Sequence, residues 1–429
     1  MIMEQLHADR ISGKDRSSIG DDGTFEYEGD RDDSGAPHGQ GKTTYSSGKV
    51  HEGSYVHGKR HGEGRIIYPD GETFIGTFVD GEASGTGKTT WPDGATYVGS
   101  SKNGLRTGNG VMTCPDGERY EGSWLNDKFH GEGSYFWPDG EKHEGHYVDD
   151  VMHGYGRHTW PDGEIYEGDY MNGLKHGKGK TTWPDGRVHE GELRFGYRHG
   201  PGKCVDADGE VYEGMYTNDL RNGYGIASWP DGELYEGYWK DDKRSGKGKY
   251  YWADGEVYEG DFFDGKVHGF GRHTWPNGRV YEGEYKDDRI DGYGKYVGED
   301  GESYEGEYRN MVRHGKGRYS SSDGRIYDGE YVNDLRCGHG EMNWPDGAHY
   351  IGMYRDDKRN GRGEMIWPGG AHYSGNWEDD KMSGFGKIVC ADGAIYEGMW
   401  KDAEPVGHYE QDDKEYSAST SDVKGSSSF

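Results

Sequence analysis

Aliphatic residues are scarce in this sequence, basic residues are outnumbered by acidic ones, and long apolar runs are missing. Only 30% of its 429 residues are hydrophobic, and no stretch approaches the roughly 18 apolar residues that a membrane-spanning helix needs. Asp and Glu number 80 against 50 Lys and Arg, which gives a formal net charge of −30. Because binding to phosphate backbones needs clustered basic side chains, this balance argues against a nucleic-acid partner and weakens attraction to anionic lipid.

Cysteine is also rare. The four cysteines form no CxxC pair and no His–Cys ligand spacing; they are Cys114, Cys204, Cys337 and Cys390. We therefore expect ordinary thiols in a reducing cytosol rather than disulfides or metal ligands. The first residues lack the apolar core of a signal peptide, which agrees with a cytoplasmic location.

Glycine and aromatic residues, by contrast, are abundant, with 79 Gly, 35 Tyr and 13 Trp. Few aliphatic residues and many glycines are typical of disordered chains, but such chains are poor in Tyr and Trp. The two observations agree only if the glycines occupy fixed positions of a folded repeat. Internal periodicity therefore decides the fold class.

A unit that begins Tyr27-Glu28-Gly29 recurs along the chain. After one interval of 24 residues the copies follow every 23 residues, which gives 17 copies, the last one cut short. Counting positions from the first residue of each copy, glycine recurs at positions 3, 12, 14 and 21 and these sites hold 66 of the 79 glycines. The copies begin at Tyr27, His51, Phe74, Tyr97, Tyr120, His143, Tyr166, His189, Tyr212, Tyr235, Tyr258, Tyr281, Tyr304, Tyr327, Tyr350, Tyr373 and Tyr396.

The copy at 166–188 illustrates the fold that this pattern predicts. Residues 166–170 alternate aromatic, acidic and glycine side chains, as in a strand with one buried and one wet face. A polar connection over 171–176 should lead to a second strand over 177–183, followed by a tight Pro-Asp-Gly turn. We predict an all-β protein, an elongated twisted single-layer antiparallel sheet of 16–17 stacked hairpins over residues 24–409, with disordered tails at 1–23 and 410–429.

Strand alternation should place positions 1, 3 and 5 on one face, together with positions 14, 16 and 18. Position 1 is Tyr in 13 copies, position 5 is aromatic in 14, and position 18 is Trp in nine. Rings lying over the glycines at positions 3 and 14 would supply the burial that Leu and Ile supply elsewhere. The acids, such as Glu121 and Glu236, should line the opposite, solvated face.

The frame Y-E-G-x-[YW]-x-x-[GD]-x-x-H-G-x-G-x-x-x-[WY]-P-D-G resembles the MORN repeat (membrane occupation and recognition nexus) from residue 27 to about 409. That resemblance implies an extended, twisted, single-layer antiparallel sheet. The first copy has one inserted residue and carries Arg31 in place of a ring at position 5. This entry is similar to that of the radial-spoke head 1 family of axonemal proteins, which implies a ciliary or flagellar role.

Histidine and the repeated acids are the candidates for chemistry. Residues one repeat apart should lie ~9.5 Å apart, too far to share a metal ion, so we expect the histidines at position 11 to form loop hydrogen bonds. A metal site across a dimer interface stays open, but we predict no metal, no cofactor and no catalytic residue, because acids on a solvated face lack a cleft. The eight histidines at position 11 are His38, His61, His130, His153, His176, His199, His268 and His314.

The eighth copy departs most from its own pattern, with Leu193 at position 5 and Asp206 at position 18. Drift in a tolerant array is one explanation, and a bend or a docking site for a partner is the other. Its loop is basic and aromatic, and together with the first copy it supplies the candidate partner contacts Arg194, Phe195, Tyr197, Arg198, Tyr27 and Arg31.

Two classes of function follow, neither of them an enzyme. The first is a structural scaffold of the cytoskeleton, an axonemal component of a cilium or flagellum, with other proteins as partners and a homodimer left open. The second is a membrane-associated tether or organiser that binds phosphoinositides. The excess of acids, −30 in net charge, favours the first.

Overall fold

The computed structural model describes residues 24–407, and the tails predicted at 1–23 and 410–429 lie outside this range. The described chain forms two compact units, 24–220 and 221–407. Every regular element within residues 24–407 is a β-strand, so the prediction of an all-β protein is confirmed.

The strands alternate in length between seven and nine residues through nearly the whole of both units. The strands that make up the first unit are β1 Phe25–Arg31, β2 Pro37–Tyr45, β3 Val50–Val56, β4 Lys59–Ile67, β5 Thr73–Val79, β6 Glu82–Thr90, β7 Thr96–Lys102, β8 Leu105–Thr113, β9 Arg119–Leu125, β10 Lys128–Phe136, β11 Lys142–Val148, β12 Val151–Thr159, β13 Ile165–Met171, β14 Leu174–Thr182, β15 Val188–Arg194, β16 Tyr197–Val205 and β17 Val211–Thr217.

The strands that make up the second unit are β18 Leu220–Ser228, β19 Leu234–Lys240, β20 Lys243–Tyr251, β21 Val257–Phe263, β22 Lys266–Thr274, β23 Val280–Lys286, β24 Arg289–Val297, β25 Ser303–Arg309, β26 Val312–Ser320, β27 Ile326–Val332, β28 Leu335–Asn343, β29 His349–Arg355, β30 Lys358–Ile366, β31 His372–Glu378, β32 Lys381–Val389, β33 Ile395–Lys401 and the short β34 Glu404–Pro405.

Within each unit, consecutive strands pair antiparallel and form one open layer. Gly168 lies opposite Gly179 in the hairpin β13–β14, and Gly179 lies opposite Gly191 of the next hairpin. The second unit repeats this register, with Gly248 opposite both Gly237 and Gly260. The glycines at positions 3 and 14 therefore form a continuous row across the strands of each unit, as stacked hairpins require.

From the second hairpin onward, the loop inside the hairpin is tighter than the sequence analysis predicts. Only Asn172 and Gly173 connect β13 to β14, with φ values of 53° and 78°. Positive φ at both central residues defines a type I′ turn, whose twist matches that of the flanking strands. The second strand therefore begins at Leu174 rather than at the predicted residue 177.

A bulge inside each hairpin explains the glycine at position 12. Between the pairs Gly168–Gly179 and Tyr170–Lys175, one residue of β13 faces three residues of β14. Gly177 lies in this bulge with φ 67°, and a Cβ placed there would come 2.7 Å from Oδ2 of Asp169. Any other residue at this position would therefore have an unfavourable backbone conformation, and its Cβ would clash with the Asp169 side chain.

The face that carries positions 1, 3 and 5 is packed as predicted. The Tyr166 ring is fully buried, and a Cβ on Gly179 would lie 2.4 Å from its Cε2. The Tyr166 hydroxyl donates to the carbonyl oxygen of Asp169 at 2.9 Å. Rings lying flat over glycine are therefore the core of each unit, and their hydroxyls are satisfied by backbone.

Candidate binding surfaces

The rings of the aromatic face cover one another. Within each unit, a ring at position 5 meets the position 1 ring of its own copy and that of the copy before it. Tyr285, for example, lies 5.3 Å from both Tyr258 and Tyr281, edge to face in each case. Tyr258 and Tyr281 have no exposed surface, so these rings serve the fold rather than a partner.

Arginine at position 10 covers this face in many copies, a role that the sequence analysis missed. The Arg336 backbone N–H and Nε donate to Oδ1 of Asp357 at 2.9 and 3.0 Å, and Nη2 donates to the Asp357 carbonyl oxygen at 2.7 Å. Its guanidinium lies 5.4 Å from the centre of the Tyr354 ring. The contact joins one hairpin to the next through an ion pair and a cation–π contact.

Three histidines replace Tyr at position 1 in the first unit, and all three are buried. Burial lowers the pKa of His51 to about 4, that of His143 to about 3 and that of His189 to about 4. Neither ring nitrogen of His143 or of His189 has a hydrogen-bond partner. They are neutral core residues at pH 7 and not candidates for general acid–base chemistry.

On the opposite face, acidic and basic side chains of adjacent strands face each other and form rows of ion pairs. Position 2 of one copy faces position 15 of the copy before it, as in the ion pair of Arg157 with Glu167 at 3.0 Å and that of Lys203 with Glu213 at 3.5 Å. These side chains are about half exposed, and such pairs contribute about 0–1 kcal/mol each. The acids therefore lie on a solvated face.

Aromatic side chains interrupt this charged face at positions 4 and 13. Each exposes between 50% and 65% of its surface: Tyr155 in the first unit, and Tyr224, Tyr238, Phe270, Tyr293 and Phe385 in the second. Tyr224 and Tyr238 face each other across β18 and β19 with ring centres 5.6 Å apart. Exposed Tyr and Phe among charged residues are typical of protein-binding surfaces.

Among the candidate contacts of the eighth copy, two side chains are about half exposed and one forms an ion pair within the chain. Phe195 occupies the first turn position with φ 51°, exposes 48% of its surface and lies 5.1 Å from the His176 ring. Tyr197 is 55% exposed, and the Arg194 guanidinium lies 5.8 Å from the Phe195 ring. Arg198 instead pairs with Asp219 at 3.3 Å in the manner of the other position 10 arginines.

The first copy holds Tyr27 and Arg31 together. The Tyr27 hydroxyl donates to the Asp30 carbonyl oxygen at 2.8 Å, and the Arg31 guanidinium lies 5.0 Å from the Tyr27 ring. Arg31 Nη1 also donates to the Gly35 carbonyl oxygen at 2.8 Å. Arg31 therefore lies over the ring of its own copy.

The histidines at position 11 lie beside the turn of the following copy. Nδ1 of His176 accepts from the Phe195 N–H at 3.4 Å, which confirms the predicted loop hydrogen bond at this residue. The buried Nδ1 atoms of five others have no hydrogen-bond partner, so the prediction does not hold for that atom in His38, His130, His199, His268 and His314. His130 and His268 lie 3.8 and 3.7 Å from carboxylate oxygens of Asp149 and Asp287. Position 11 of one copy thus approaches position 7 of the next.

A basic cluster that sequence inspection missed lies beside the turns of the second unit. A shallow hollow there is lined by Lys266, Lys286, Arg289 and Arg309, which come from four different strands. Three carboxylates line the same hollow, those of Asp287, Asp291 and Glu307. Because these charges nearly balance, the hollow offers only weak net attraction to an anion.

Two further observations concern membranes and thiols. No helix within residues 24–407 has the length and apolar character needed to cross a membrane. Burial raises the pKa of the Cys204, Cys337 and Cys390 thiols. These three thiols are therefore poor nucleophiles at pH 7.

The repeated hairpins, the glycine row and the ring-over-glycine core define a β-hairpin repeat protein. The chain belongs to the MORN repeat family, whose model matches sixteen stretches, from 34–50 and 51–73 through to 373–395. This match confirms the predicted family. Family membership together with this fold indicates a protein-interaction scaffold.

Comparison with other proteins adds little beyond the family. No curated protein matches the sequence. The G-box domain of the microcephaly protein CPAP is 15% identical at a TM-score of 0.20, over 52% of this chain and all of that one. The TCP10 domain of Danio rerio CPAP in complex with a STIL peptide is 14% identical at 0.13, over 68% of this chain and 98% of that one. TM-scores this low support no conclusion about function.

Proposed function

We propose that this chain is a non-enzymatic scaffold of the cytoskeleton that binds other proteins through its charged face. The observation that carries the proposal is the set of exposed rings on that face, represented by Tyr224, Tyr238, Phe270 and Tyr293. Rings of this kind anchor protein interfaces, because each buries a large apolar area at a small entropic cost.

The cellular setting in this proposal is the axoneme of a cilium or flagellum. Its support is the first copy, whose inserted residue and Arg31 resemble the entry of the radial-spoke head 1 family, together with the net charge of −30. A scaffold held by protein partners should stay with axonemes when detergent removes the membrane. Full-length protein should therefore sediment with detergent-extracted axonemes.

A paired variant tests whether the exposed rings make the attachment. Tyr224→Ser with Tyr238→Ser removes two rings that are 50% and 53% exposed, so folding should be nearly unaffected. We expect this variant to be released from extracted axonemes. Tyr251→Ser, at a half-buried strand end away from that ring pair, is the control and should remain bound.

Phe195→Ala with Tyr197→Ala tests the eighth copy as a second attachment site. Both side chains are about half exposed, so their loss should affect binding more than folding. Retention of both double variants on axonemes would contradict attachment through exposed rings. Wild-type protein that washes out with detergent, or that concentrates at the plasma membrane, would contradict the axonemal setting.

The second candidate function is a phosphoinositide-binding tether, favoured by the hollow that holds Lys266, Lys286, Arg289 and Arg309. Such binding should weaken as salt screens the charges. We expect no co-sedimentation with phosphoinositide vesicles at physiological ionic strength, because three carboxylates share the hollow. Headgroup-specific binding that Arg289→Glu abolishes would favour the tether over the scaffold.

A further inference from the structure

The first two copies depart from the repeat at neighbouring points. In later copies, position 11 approaches position 7 of the next copy, as when the Asn310 N–H donates to Oδ2 of Asp291 at 3.0 Å. From the second copy onward, position 7 is Asp or Asn in 14 of 16 copies, and the exceptions are His57 and Phe195. At the first junction two histidines therefore meet, and the ring centres of His38 and His57 are 5.4 Å apart.

The inserted residue of the first copy brings a carboxylate to the same point. The loop from Asp32 to Ala36 replaces the usual two-residue turn, and the Asp32 N–H donates to the Ala36 carbonyl oxygen at 2.9 Å. Oδ1 of Asp32 accepts from the Ser34 N–H, the Ser34 hydroxyl and the Ala36 N–H at 3.0, 2.6 and 3.0 Å. These bonds fix the carboxylate and leave Oδ2 pointing at His57, 2.9 Å from its Nδ1.

The Nδ1 atom of His38 is buried and has no hydrogen-bond partner. The Nδ1 atoms of His130, His199, His268 and His314 also have no hydrogen-bond partner, but those of His130 and His268 lie within 4 Å of a carboxylate of the next turn. His38 differs because the residue that faces it in the next turn is another histidine. A buried nitrogen without a partner is unfavourable unless an ion or another group satisfies it. Nitrogen from two histidines and oxygen from Asp32 are the donors that zinc prefers.

The distances suit a metal ion. One ligand atom from each of Asp32, His38 and His57 lies within 4.8 Å of the other two. Zinc bonds of about 2.0–2.1 Å in a tetrahedron place ligand atoms about 3.3 Å apart. The His57 side chain is 78% exposed, so small rotations of its ring can bring the three ligand atoms to the spacing that zinc requires.

We propose that Asp32, His38 and His57 form a zinc site, with water in the fourth coordination position. The hydrogen bonds from residues 34 and 36 to Asp32 orient the carboxylate, as outer-shell partners do at other zinc sites. The sequence analysis predicts no metal site because histidines at position 11 of successive copies lie too far apart to share an ion. In the structure, the neighbour of a position 11 side chain is position 7 of the next copy. At the first junction both of these positions hold histidine, His38 and His57.

Such a site would stabilise the packing of the first two hairpins of the first unit. Asp32 and His38 belong to the hairpin β1–β2, and His57 belongs to the turn between β3 and β4. Zinc would therefore link the first hairpin to the second through their loops. The expected consequence is slower opening of the hairpin β1–β2, because a ligand that binds only the folded state stabilises it.

Zinc titration of untagged, chelator-treated full-length protein by calorimetry tests the proposal. We expect one zinc ion per chain and at least about tenfold weaker binding by His57→Asn. Asparagine suits this turn, since six other copies carry Asn at position 7 with φ between 47° and 53°. His130→Asn removes a histidine that faces a single carboxylate at 3.8 Å and should bind zinc as the wild type does.

Hydrogen exchange over residues 25–67 supplies a second measurement that does not depend on the stoichiometry. Zinc should slow exchange there in the wild type and in His130→Asn, but not in His57→Asn. Equal zinc affinity of the wild type and His57→Asn would overturn the proposal. So would the lack of any zinc-dependent protection in residues 25–67 of the wild type.

Discussion

The two units differ at the position that forms their core. All eight copies that begin in the second unit have Tyr at position 1, from Tyr235 to Tyr396. Each of these hydroxyls donates to the backbone carbonyl oxygen of position 4 at 2.9–3.2 Å. In the first unit, His51, His143 and His189 take this place, and the side chains of His143 and His189 form no hydrogen bond.

The difference shows what the fold requires at position 1 and what it tolerates. A flat ring over the glycine row is required, and both Tyr and His provide one. The Tyr hydroxyl reaches a backbone oxygen, so its burial leaves nothing unsatisfied. Histidine buries a group that titrates in mild acid, so the first unit should be sensitive to pH in a way that the second is not.

The largest expected effect is acid opening of the first unit. The pKa values of His51, His143 and His189 fall from 6.5 to about 4, 3 and 4. The unfolded chain therefore binds more protons between about pH 6.5 and 4, and stability is lost as the pH falls through this window. Each histidine should cost up to roughly 3 kcal/mol by pH 4. Hydrogen exchange should show residues 27–220 opening before residues 221–407.

The control for this prediction replaces all three histidines with Phe, which Phe74 shows the site can hold. His158 and His273 occupy position 16 in the first and the second unit, and burial lowers the pKa of both. Their protonation should therefore destabilise the two units to a similar extent and should not make one unit open before the other. The triple variant should lose the difference between the units. A wild-type protein whose two units open at the same pH would contradict the role assigned to these histidines.

A second prediction concerns the glycines under the rings. A Cβ on Gly248 would lie 2.4 Å from the Tyr235 hydroxyl oxygen, whereas a Cβ on Gly202 would lie 2.8 Å from Cε1 of His189. Neither glycine has positive φ, so the added methyl group and not the backbone decides the cost. Gly248→Ala should cost about 1–3 kcal/mol by overpacking and Gly202→Ala about 1 kcal/mol less. Urea unfolding of both variants measures the difference, and equal losses would contradict it.

Much of this packing could be predicted from the sequence. The 23-residue period, the alternation around position 1 and the four glycine positions together predict hairpins with rings over glycine. The type I′ turn was missed because position 8 is Gly in only six of the 16 copies from the second onward. Asp occupies it in eight others, among them Asp127 and Asp219, both with φ 69°. The short side chain of Asp tolerates the left-handed conformation, which conceals the turn in the sequence.

The candidate site was harder to predict, for a different reason. The period alone does not show that the bulge at Gly177 brings position 11 next to position 7 of the following copy, where His176 meets Phe195. Nor does a 23-residue repeat predict which exposed rings are neighbours, since Tyr224 and Tyr238 occupy different positions in different copies. Contacts between copies depend on register, and register follows from the bulge and the turn together.

A third prediction converts one copy of the first unit to the pattern of the second. His143→Tyr removes two buried nitrogens without partners and adds a hydroxyl that can reach the carbonyl oxygen of position 4. We expect a gain of about 1–2 kcal/mol at pH 7 and more at pH 5, by urea unfolding. Tyr166→His, the reverse change in the next copy, should cost a similar amount. A loss of stability in His143→Tyr would show that the neighbouring copies do not admit the larger ring.

The smallest expected effect concerns the arginines that cover the rings in the second unit. Arg336→Lys keeps the charge but loses the paired bonds of Nε and Nη2 to Asp357 and the flat contact with Tyr354. Because the Asp357 side chain is 43% exposed, the cost should be only about 0.5–1 kcal/mol by thermal or urea unfolding. Arg325→Lys is the matched control, since Arg325 pairs with Asp323 of its own turn at 2.9 Å and covers no buried ring. If the two variants lose equal stability, the cover over the rings contributes nothing beyond an ordinary surface ion pair.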